Sequence, residues 1–176
     1  MSDRQELRMM VFAALMAALM AVGALISIPV GPVPIVLQNM FVLLAGLLLG
    51  SRWGLASVAV YLLAGAVGLP VFAGGLGGIG RLAGPTGGYL LGYLPAVWIA
   101  GFISEKTGGR MVGDVAAMVC ASAAVYACGA SWLKVLTAMT WSKTLAVGLY
   151  PFVLGDGLKI AAAAAIVRAL RPVVKR

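Results

Sequence analysis

Residues 9–28 read MMVFAALMAALMAVGALISI, and this run without a charged side chain continues uncharged as far as Arg52. Two further uncharged runs follow, from Arg52 to Arg81 and from Arg81 to Glu105. A helix that spans a bilayer needs about 20 consecutive, mostly apolar residues, and each run is longer than that. The sequence therefore predicts an all-α membrane protein.

The composition agrees with this prediction. Of the 176 residues, 62% are hydrophobic and 10% are charged, and the mean hydropathy is +1.06. Soluble domains usually contain about 45–50% apolar and about 25% charged residues. A soluble core of this size could not bury so much apolar surface.

Six transmembrane helices are predicted, in a single integral membrane domain over residues 1–176. Residues 1–8 are polar, but the apolar run after them is too long for the apolar region of a signal peptide and lacks a cleavage context. We therefore expect this run to form the first helix of the mature protein. The predicted helices cover about 9–28, 36–50, 53–71, 86–104, 112–132 and 151–170.

The distribution of Lys and Arg predicts that both termini are cytoplasmic. With six helices in that orientation, nine basic residues fall on the inner side and three, Arg81, Lys134 and Lys143, on the outer side. Cytoplasmic loops carry such an excess of positive charge. The inner residues are Arg4, Arg8, Arg52, Lys106, Arg110, Arg168, Arg171, Lys175 and Arg176. The last four form a basic tail that suits anionic lipid headgroups, and the net charge of +8 does not indicate nucleic-acid binding.

The predicted outer loops are rich in Gly and Pro. The first is Pro29–Pro34, the second is Gly74–Gly88, and the third runs over 133–150. Irregular backbone at membrane depth is tolerated only where it is buried in protein or lines a cavity. These loops therefore predict a pocket that opens toward the outside, with segments that could close over it.

Small residues recur at a spacing of four. Ala13, Ala17 and Ala21 do so in the first helix, as do the pairs Gly46/Gly50 and Gly88/Gly92. Small residues let helices approach closely in lipid. We interpret the glycine pairs as packing inside the bundle, whereas the alanine stripe is long enough to dock another protein as well.

Asp156 and Lys159 are the most informative polar residues. They stand three apart, so on a helix they share a face, and the helix is otherwise apolar until Arg168. Ionisable groups in membrane segments are costly and usually face a cavity, which favours a binding role. A structural ion pair remains the alternative.

Other polar residues are weaker candidates for ligand binding. Arg81 is the only charge in the second outer loop and could hold a carboxylate, or it is simply a solvated side chain. Gln38 and Asn39 could hydrogen-bond to a ligand or to another helix. Tyr89 offers a ring and a hydroxyl group at the same outer level.

The sequence contains no convincing catalytic or metal site. It has no histidine, and Cys120 and Cys128 are too far apart along one helix to bridge, so zinc and haem lack ligands. Residues 75–80 match G-x-G-x-x-G, but that motif functions only between a strand and a helix. The chain also lacks a Walker A sequence. We expect no enzyme, no cofactor and no metal.

Four motifs resemble the BioY family, the biotin-binding S components of energy-coupling factor (ECF) transporters. They are Gly31–Asn39 (GPVPIVLQN), Gly68–Gly78 (GLPVFAGGLGG), Gly84–Leu90 (GPTGGYL) and Pro151–Lys159 (PFVLGDGLK). The resemblance covers nearly the whole chain, with the motifs in the family order.

The resemblance implies high-affinity biotin capture and uptake across the bacterial cytoplasmic membrane, without catalysis. The site would lie near the outer face, beneath loops that include the one after the first helix. A transmembrane T component would dock on Ala13, Ala17 and Ala21, and two ATPase subunits would hydrolyse ATP. Some bacteria have BioY without dedicated partners, so solitary uptake stays open.

Biotin also suits the candidate residues chemically. Asp156 would accept a hydrogen bond from the ureido ring, and Lys159 would donate to the ureido oxygen or to the carboxylate. Arg81, with Gln38 or Asn39, would bind the other polar end, and Tyr89, Leu149 and Phe152 would form apolar walls.

Two alternatives to biotin capture remain. One is an S component for another vitamin. The other is a structural membrane protein that transports nothing, in which Asp156 and Lys159 only hold the bundle together.

Overall fold

The computed structural model describes residues 3–29 and 31–174. Val30, within the first predicted outer loop, lies outside the described residues. So do Lys175 and Arg176, the last two residues of the predicted basic tail.

Helices make up most of the described chain. The long ones are α1 (Asp3–Leu25), α2 (Gln38–Ala66), α4 (Gly87–Lys106), α5 (Met111–Thr137) and α7 (Tyr150–Val174). Two short helices, α3 (Ile79–Ala83) and α6 (Trp141–Gly148), lie in segments that were predicted to be loops. Strands β1 (Ser27–Ile28) and β2 (Ile35–Val36) form an antiparallel hairpin with Ser27 opposite Val36.

Helix α2 reverses direction at Gly50 and is in effect two helices. Gly50 has φ 82° and ψ 179°, a conformation that is accessible to glycine and strained for other residues. A Cβ on Gly54 would lie 3.1 Å from the Cα of Gly46, whereas eight residues of straight helix would separate them by about 12 Å along the axis. The predicted break between the second and third helices is therefore a turn centred on one residue, Gly50.

With α2 counted as two arms, 38–49 and 51–66, the described chain contains six long helical segments, which confirms the predicted number. Four helices, α1, α2, α4 and α5, are long and apolar enough to cross a membrane. Helix α7, which carries Asp156, Lys159, Arg168 and Arg171, is not among these four.

The bundle has two distinct ends. Arg8 donates a hydrogen bond to the carbonyl oxygen of Val173, so the two termini lie at one end, together with Gly50 and the α4–α5 turn. We call this the terminal end. The β1–β2 hairpin, α3 and α6 lie at the opposite end, the loop end.

Glycine packing brings the helices together largely as predicted. A Cβ on Gly46 would lie 2.7 Å from the carbonyl oxygen of Val97 on α4, and one on Gly92 would lie 3.0 Å from the Cβ of Cys128 on α5. Gly88 also abuts α5, at Trp132. Gly50 differs from the prediction, because it forms the turn in α2 and was expected to pack one helix against another.

The alanine stripe of α1 faces the interior of the bundle, whereas the prediction placed it on a surface that docks a partner. Ala13 and Ala17 are buried against the protein's own helices, and Ala21 is half-buried. The exposed face of α1 carries Ala14 and Ala18. The spacing of four occurs on both faces, so it could not indicate which face points inward.

Candidate functional site

A cavity of about 410 Å³ lies at the loop end, among the β1–β2 hairpin, α2, α4, α5 and α7. Its lining is mostly apolar and aromatic, with polar groups concentrated on α2 and α7. The lining residues used below are Val33, Val36, Gln38, Asn39, Phe72, Arg81, Tyr89, Leu90, Tyr93, Val125, Tyr126, Phe152, Asp156 and Lys159.

Asp156 is the centre of a hydrogen-bond network on one side of this cavity. Its Oδ1 atom accepts from Asn39 Nδ2 at 2.7 Å and from Lys159 Nζ at 2.8 Å. Its Oδ2 atom accepts from the hydroxyl group of Tyr126. Helices α2, α5 and α7 are therefore joined at a single buried carboxylate.

Lys159 has used all of its donors. An ammonium group has three N–H bonds, and Nζ lies 2.8 Å from Asp156 Oδ1, 3.0 Å from Asn39 Oδ1 and 2.7 Å from the carbonyl oxygen of Val36. The last contact ties α7 to β2 of the hairpin. A ligand that takes a hydrogen bond from Lys159 must replace one of these acceptors.

Two other polar side chains that line the cavity retain donors. Gln38 is 1% exposed, and its amide group lies near the Tyr61 hydroxyl group, but its Nε2 atom makes no well-formed hydrogen bond among the described residues. Arg81, on α3, forms no ion pair within 3–29 and 31–174. A buried donor without an acceptor is costly, so Gln38 favours a ligand with an acceptor at that position.

The apolar wall combines helices and the hairpin. The Tyr89 and Phe152 rings lie 6.4 Å apart between centroids, and Val33 of the hairpin packs in the same cluster. The Tyr89 hydroxyl donates to the carbonyl oxygen of Gly148 at 2.6 Å. Tyr89 therefore presents its ring to the cavity, while its hydroxyl group holds the end of α6.

The structure brings all seven predicted binding residues to this cavity: Gln38, Asn39, Arg81, Tyr89, Phe152, Asp156 and Lys159. Two details differ from the sequence-based expectation. Asn39 bonds to Asp156 and Lys159, so it belongs to their group and does not pair with Arg81. Leu149, expected in the apolar wall, is not among the residues that line the cavity.

Sequence reasoning missed Tyr126 and Tyr93. Both lie within long apolar helices, and both line the cavity. A buried tyrosine hydroxyl group needs a hydrogen-bond partner, so a tyrosine in the middle of an apolar helix was a usable signal.

Comparison with known proteins identifies the family. The family model described as "BioY family" matches residues 1–176. The chain belongs to the BioY family. The expectation drawn from the four motifs is therefore confirmed.

Individual BioY relatives match over most of their length. A protein of Thermotoga maritima named "Biotin transporter BioY" is 41% identical over 165 residues, which cover 94% of this chain and 96% of the relative. One of Rhizobium etli with the same name is 37% identical, covering 97% of this chain and 94% of the relative.

A solved structure has the same fold. It is the crystal structure of the S-component for biotin from an ECF-type ABC transporter, with a TM-score of 0.91 and 33% identity over 98% of this chain and 95% of that one. The prediction of an all-α, S-component bundle is confirmed, and the chain is a multi-pass membrane protein.

Proposed function

We propose that this BioY protein captures biotin in the loop-end cavity and serves as the substrate-binding S component of an ECF-type transporter. The single observation that carries the proposal is the cavity itself, with the Asp156 carboxylate on one side and, at Gln38 and Arg81, donors that have no partner among the described residues. Relatives named as biotin transporters and as a biotin S component support the same conclusion.

The size and the charge of the cavity suit biotin. Small-molecule sites typically measure about 300–1,000 Å³ and are mostly apolar, with a few polar groups, and this cavity measures about 410 Å³. Its charged lining residues are Arg81, Asp156 and Lys159, two positive and one negative. The formal sum is +1, which complements the single carboxylate of biotin.

The polar residues can be assigned to the two ends of the ligand. The ureido ring donates two hydrogen bonds and accepts at its oxygen. It would lie beside Asp156, with Gln38 Nε2 as a donor to its oxygen. Asn39, Lys159 and Tyr126 position the carboxylate of Asp156 through hydrogen bonds. Arg81 would hold the biotin carboxylate, and Tyr89, Phe152 and Val33 would contact the apolar ring and tail.

Energy for uptake would come from partners. The chain has no Walker A sequence, so ATP would be hydrolysed by ATPase subunits that act through a transmembrane T component. The exposed face of α1, with Ala14 and Ala18, is accessible to such a component. The relatives are named as transporters, and the chain is not an enzyme.

The orientation of the chain follows from its charges. Arg8, Arg52, Lys106 and Arg110 belong to segments at the terminal end, whereas Arg81, Lys134 and Lys143 belong to segments at the loop end. By the positive-inside rule, the terminal end would be cytoplasmic and the cavity would open to the outside of the bacterial cytoplasmic membrane.

Titration of the purified protein in detergent with biotin tests the proposal, with thiamin and riboflavin as controls. We expect saturable binding of biotin and none of the other two. Folded protein that binds no vitamin would overturn the proposal, and selective binding of thiamin or riboflavin would assign the S component to a different vitamin.

A further inference from the structure

A second pocket lies at the terminal end, between the start of α5 and the end of α7. It measures about 420 Å³ and does not share a residue with the biotin cavity. Its lining residues are Gly109, Met111, Asp114, Ala164, Arg168, Arg171 and Pro172.

The pocket carries an excess of positive charge. Asp114 is its one acidic lining residue, and it already bonds to Arg171 Nη1 at 2.8 Å and to the Ser104 hydroxyl at 2.6 Å. Arg168 lies one turn before Arg171 on the same face of α7. Within the described residues Arg168 forms no ion pair, so its charge is available to an anion.

Arg171 has one donor left over. Its Nη atoms donate to Asp114, Ser104 and the carbonyl oxygens of Gly109 and Leu47. Its Nε atom is buried and has no partner among the described residues. A buried N–H without an acceptor is destabilising, so the protein alone does not satisfy the Arg171 guanidinium group.

The backbone adds further donors. Helix α5 begins at Met111, and the first N–H groups of a helix have no partner within the helix. Phosphate groups bind readily at such positions. The start of α5 therefore faces the same pocket as the two arginines and favours the same kind of ligand.

Apolar side chains border the pocket. Met111 lines the pocket and is 61% exposed, and Val112, the next residue of the chain, is 83% exposed. A soluble anion would gain nothing from these residues, whereas the acyl chains of a lipid would cover them.

We propose that this pocket binds the headgroup of an anionic phospholipid. Its phosphate would pair with Arg168 and with the guanidinium group of Arg171, and its acyl chains would lie along the exposed apolar surface beside Met111. Basic pockets between transmembrane helices recognise anionic headgroups in this way. A zwitterionic lipid would bring a cation toward Arg168 and would bind less well.

Native mass spectrometry of the detergent-solubilised protein tests the proposal, with phosphatidylglycerol compared with phosphatidylcholine. Arg168→Gln removes one charge from the pocket, and Arg52→Gln removes one from an exposed site at the same end. We expect Arg168→Gln to weaken phosphatidylglycerol binding about five-fold, because one basic residue contributes about 1 kcal/mol. Arg52→Gln should change it less than two-fold. Equal effects of the two variants, or equal affinity for the two lipids, would overturn the proposal.

A second pair of variants keeps the arginines intact. Met111→Glu places a negative charge in the pocket, and Val112→Glu places one outside it on the same helical turn. Glutamate in the first turn favours a helix, so both variants should fold. Met111→Glu should reduce phosphatidylglycerol binding more than Val112→Glu, and the reverse order would contradict the proposal.

Excess inorganic phosphate distinguishes a lipid from a soluble anion. Phosphate that leaves phosphatidylglycerol binding unchanged supports a lipid site, and phosphate that displaces the lipid would reassign the pocket to a soluble anion. Biotin binding should be unaffected by Arg168→Gln, because the two pockets share no residue.

Discussion

Helix α7 carries two buried ion pairs that look alike but have different surroundings. At the loop end, Lys159 Nζ lies 2.8 Å from Asp156 Oδ1, with side chains 12% and 9% exposed. At the terminal end, Arg171 Nη1 lies 2.8 Å from Asp114 Oδ2, with side chains 16% and 6% exposed. Distance and burial do not separate a binding site from a structural contact.

The difference lies in what surrounds each acid. Asp156 lines a mostly apolar cavity, next to the unpartnered Gln38 Nε2. Asp114 is enclosed by Ser104 and Arg171, and Arg171 also bonds to backbone oxygens of α2 and the α4–α5 turn. The first pair lies in the cavity that would hold biotin. The second pair mainly holds three parts of the bundle together, although its Arg171 also lines the proposed lipid pocket.

The largest expected effect is the loss of stability caused by Asp114→Asn. The change leaves the charge of Arg171 buried without its partner, which typically costs about 3–5 kcal/mol. Unfolding of the purified protein by a denaturing detergent would measure the loss. Biotin affinity of the protein that remains folded should stay unchanged.

The control for that experiment is the double variant Asp114→Asn/Arg171→Gln. It removes both charges, so it should recover part of the lost stability. If the double variant is less stable than Asp114→Asn alone, the ion pair does not account for the stability of the terminal end.

The same substitution at the loop end, Asp156→Asn, should mainly reduce biotin affinity, whereas Asp114→Asn mainly reduces stability. A hydrogen bond to a charged group contributes about 1.5–3 kcal/mol, so biotin affinity should fall about 10-fold to 150-fold. Its stability should fall less than that of Asp114→Asn, because only one oxygen of Asp156 bonds to Lys159, whereas both oxygens of Asp114 bond to Arg171. Isothermal titration of both variants with biotin makes the comparison. Unchanged affinity in Asp156→Asn would move the ureido site elsewhere.

The smallest effect is expected for Arg81→Gln. This variant tests whether Arg81, which forms no ion pair within the described residues, binds the carboxylate of biotin. Arg81 is half-buried, so we expect a loss of about 1 kcal/mol, or about five-fold, for biotin. Biotin methyl ester, which lacks the charge, should lose much less. Lys143→Gln is the matched control, because Lys143 is exposed at the same end and does not line the cavity. An equal loss for biotin and its ester would remove Arg81 from the carboxylate site.

Site residues that lie close together in the sequence were predicted well. Asp156 and Lys159 stand three apart on an apolar helix, and the cost of burying them was enough to indicate a site. Asn39 was predicted to be a candidate, but its partners were not, because it meets Asp156 across 117 residues of chain. Only the packing of α2 against α7 brings them together.

Features that depend on neighbouring elements were predicted less well. The same spacing of four residues marked Gly46, which packs against α4, and Gly50, which forms a turn. In α1 it marked alanines on both faces, and the choice between them depends on where α2 lies. Tyr126 could have been noted as a polar group within an apolar helix, but its partner Asp156 could not, because the contact depends on how α5 packs against α7.

The reversal at Gly50 has a mechanical consequence for transport. Because one residue joins the arms of α2, the arms cannot slide or splay at the terminal end, and Glu105 is seated where a Cβ on Gly50 would be. At the loop end the same arms continue into the hairpin and into the glycine-rich segment before α4. The turn therefore fixes the spacing of the two arms at the end farthest from the cavity, and any change in the cavity's shape has to arise at the loop end.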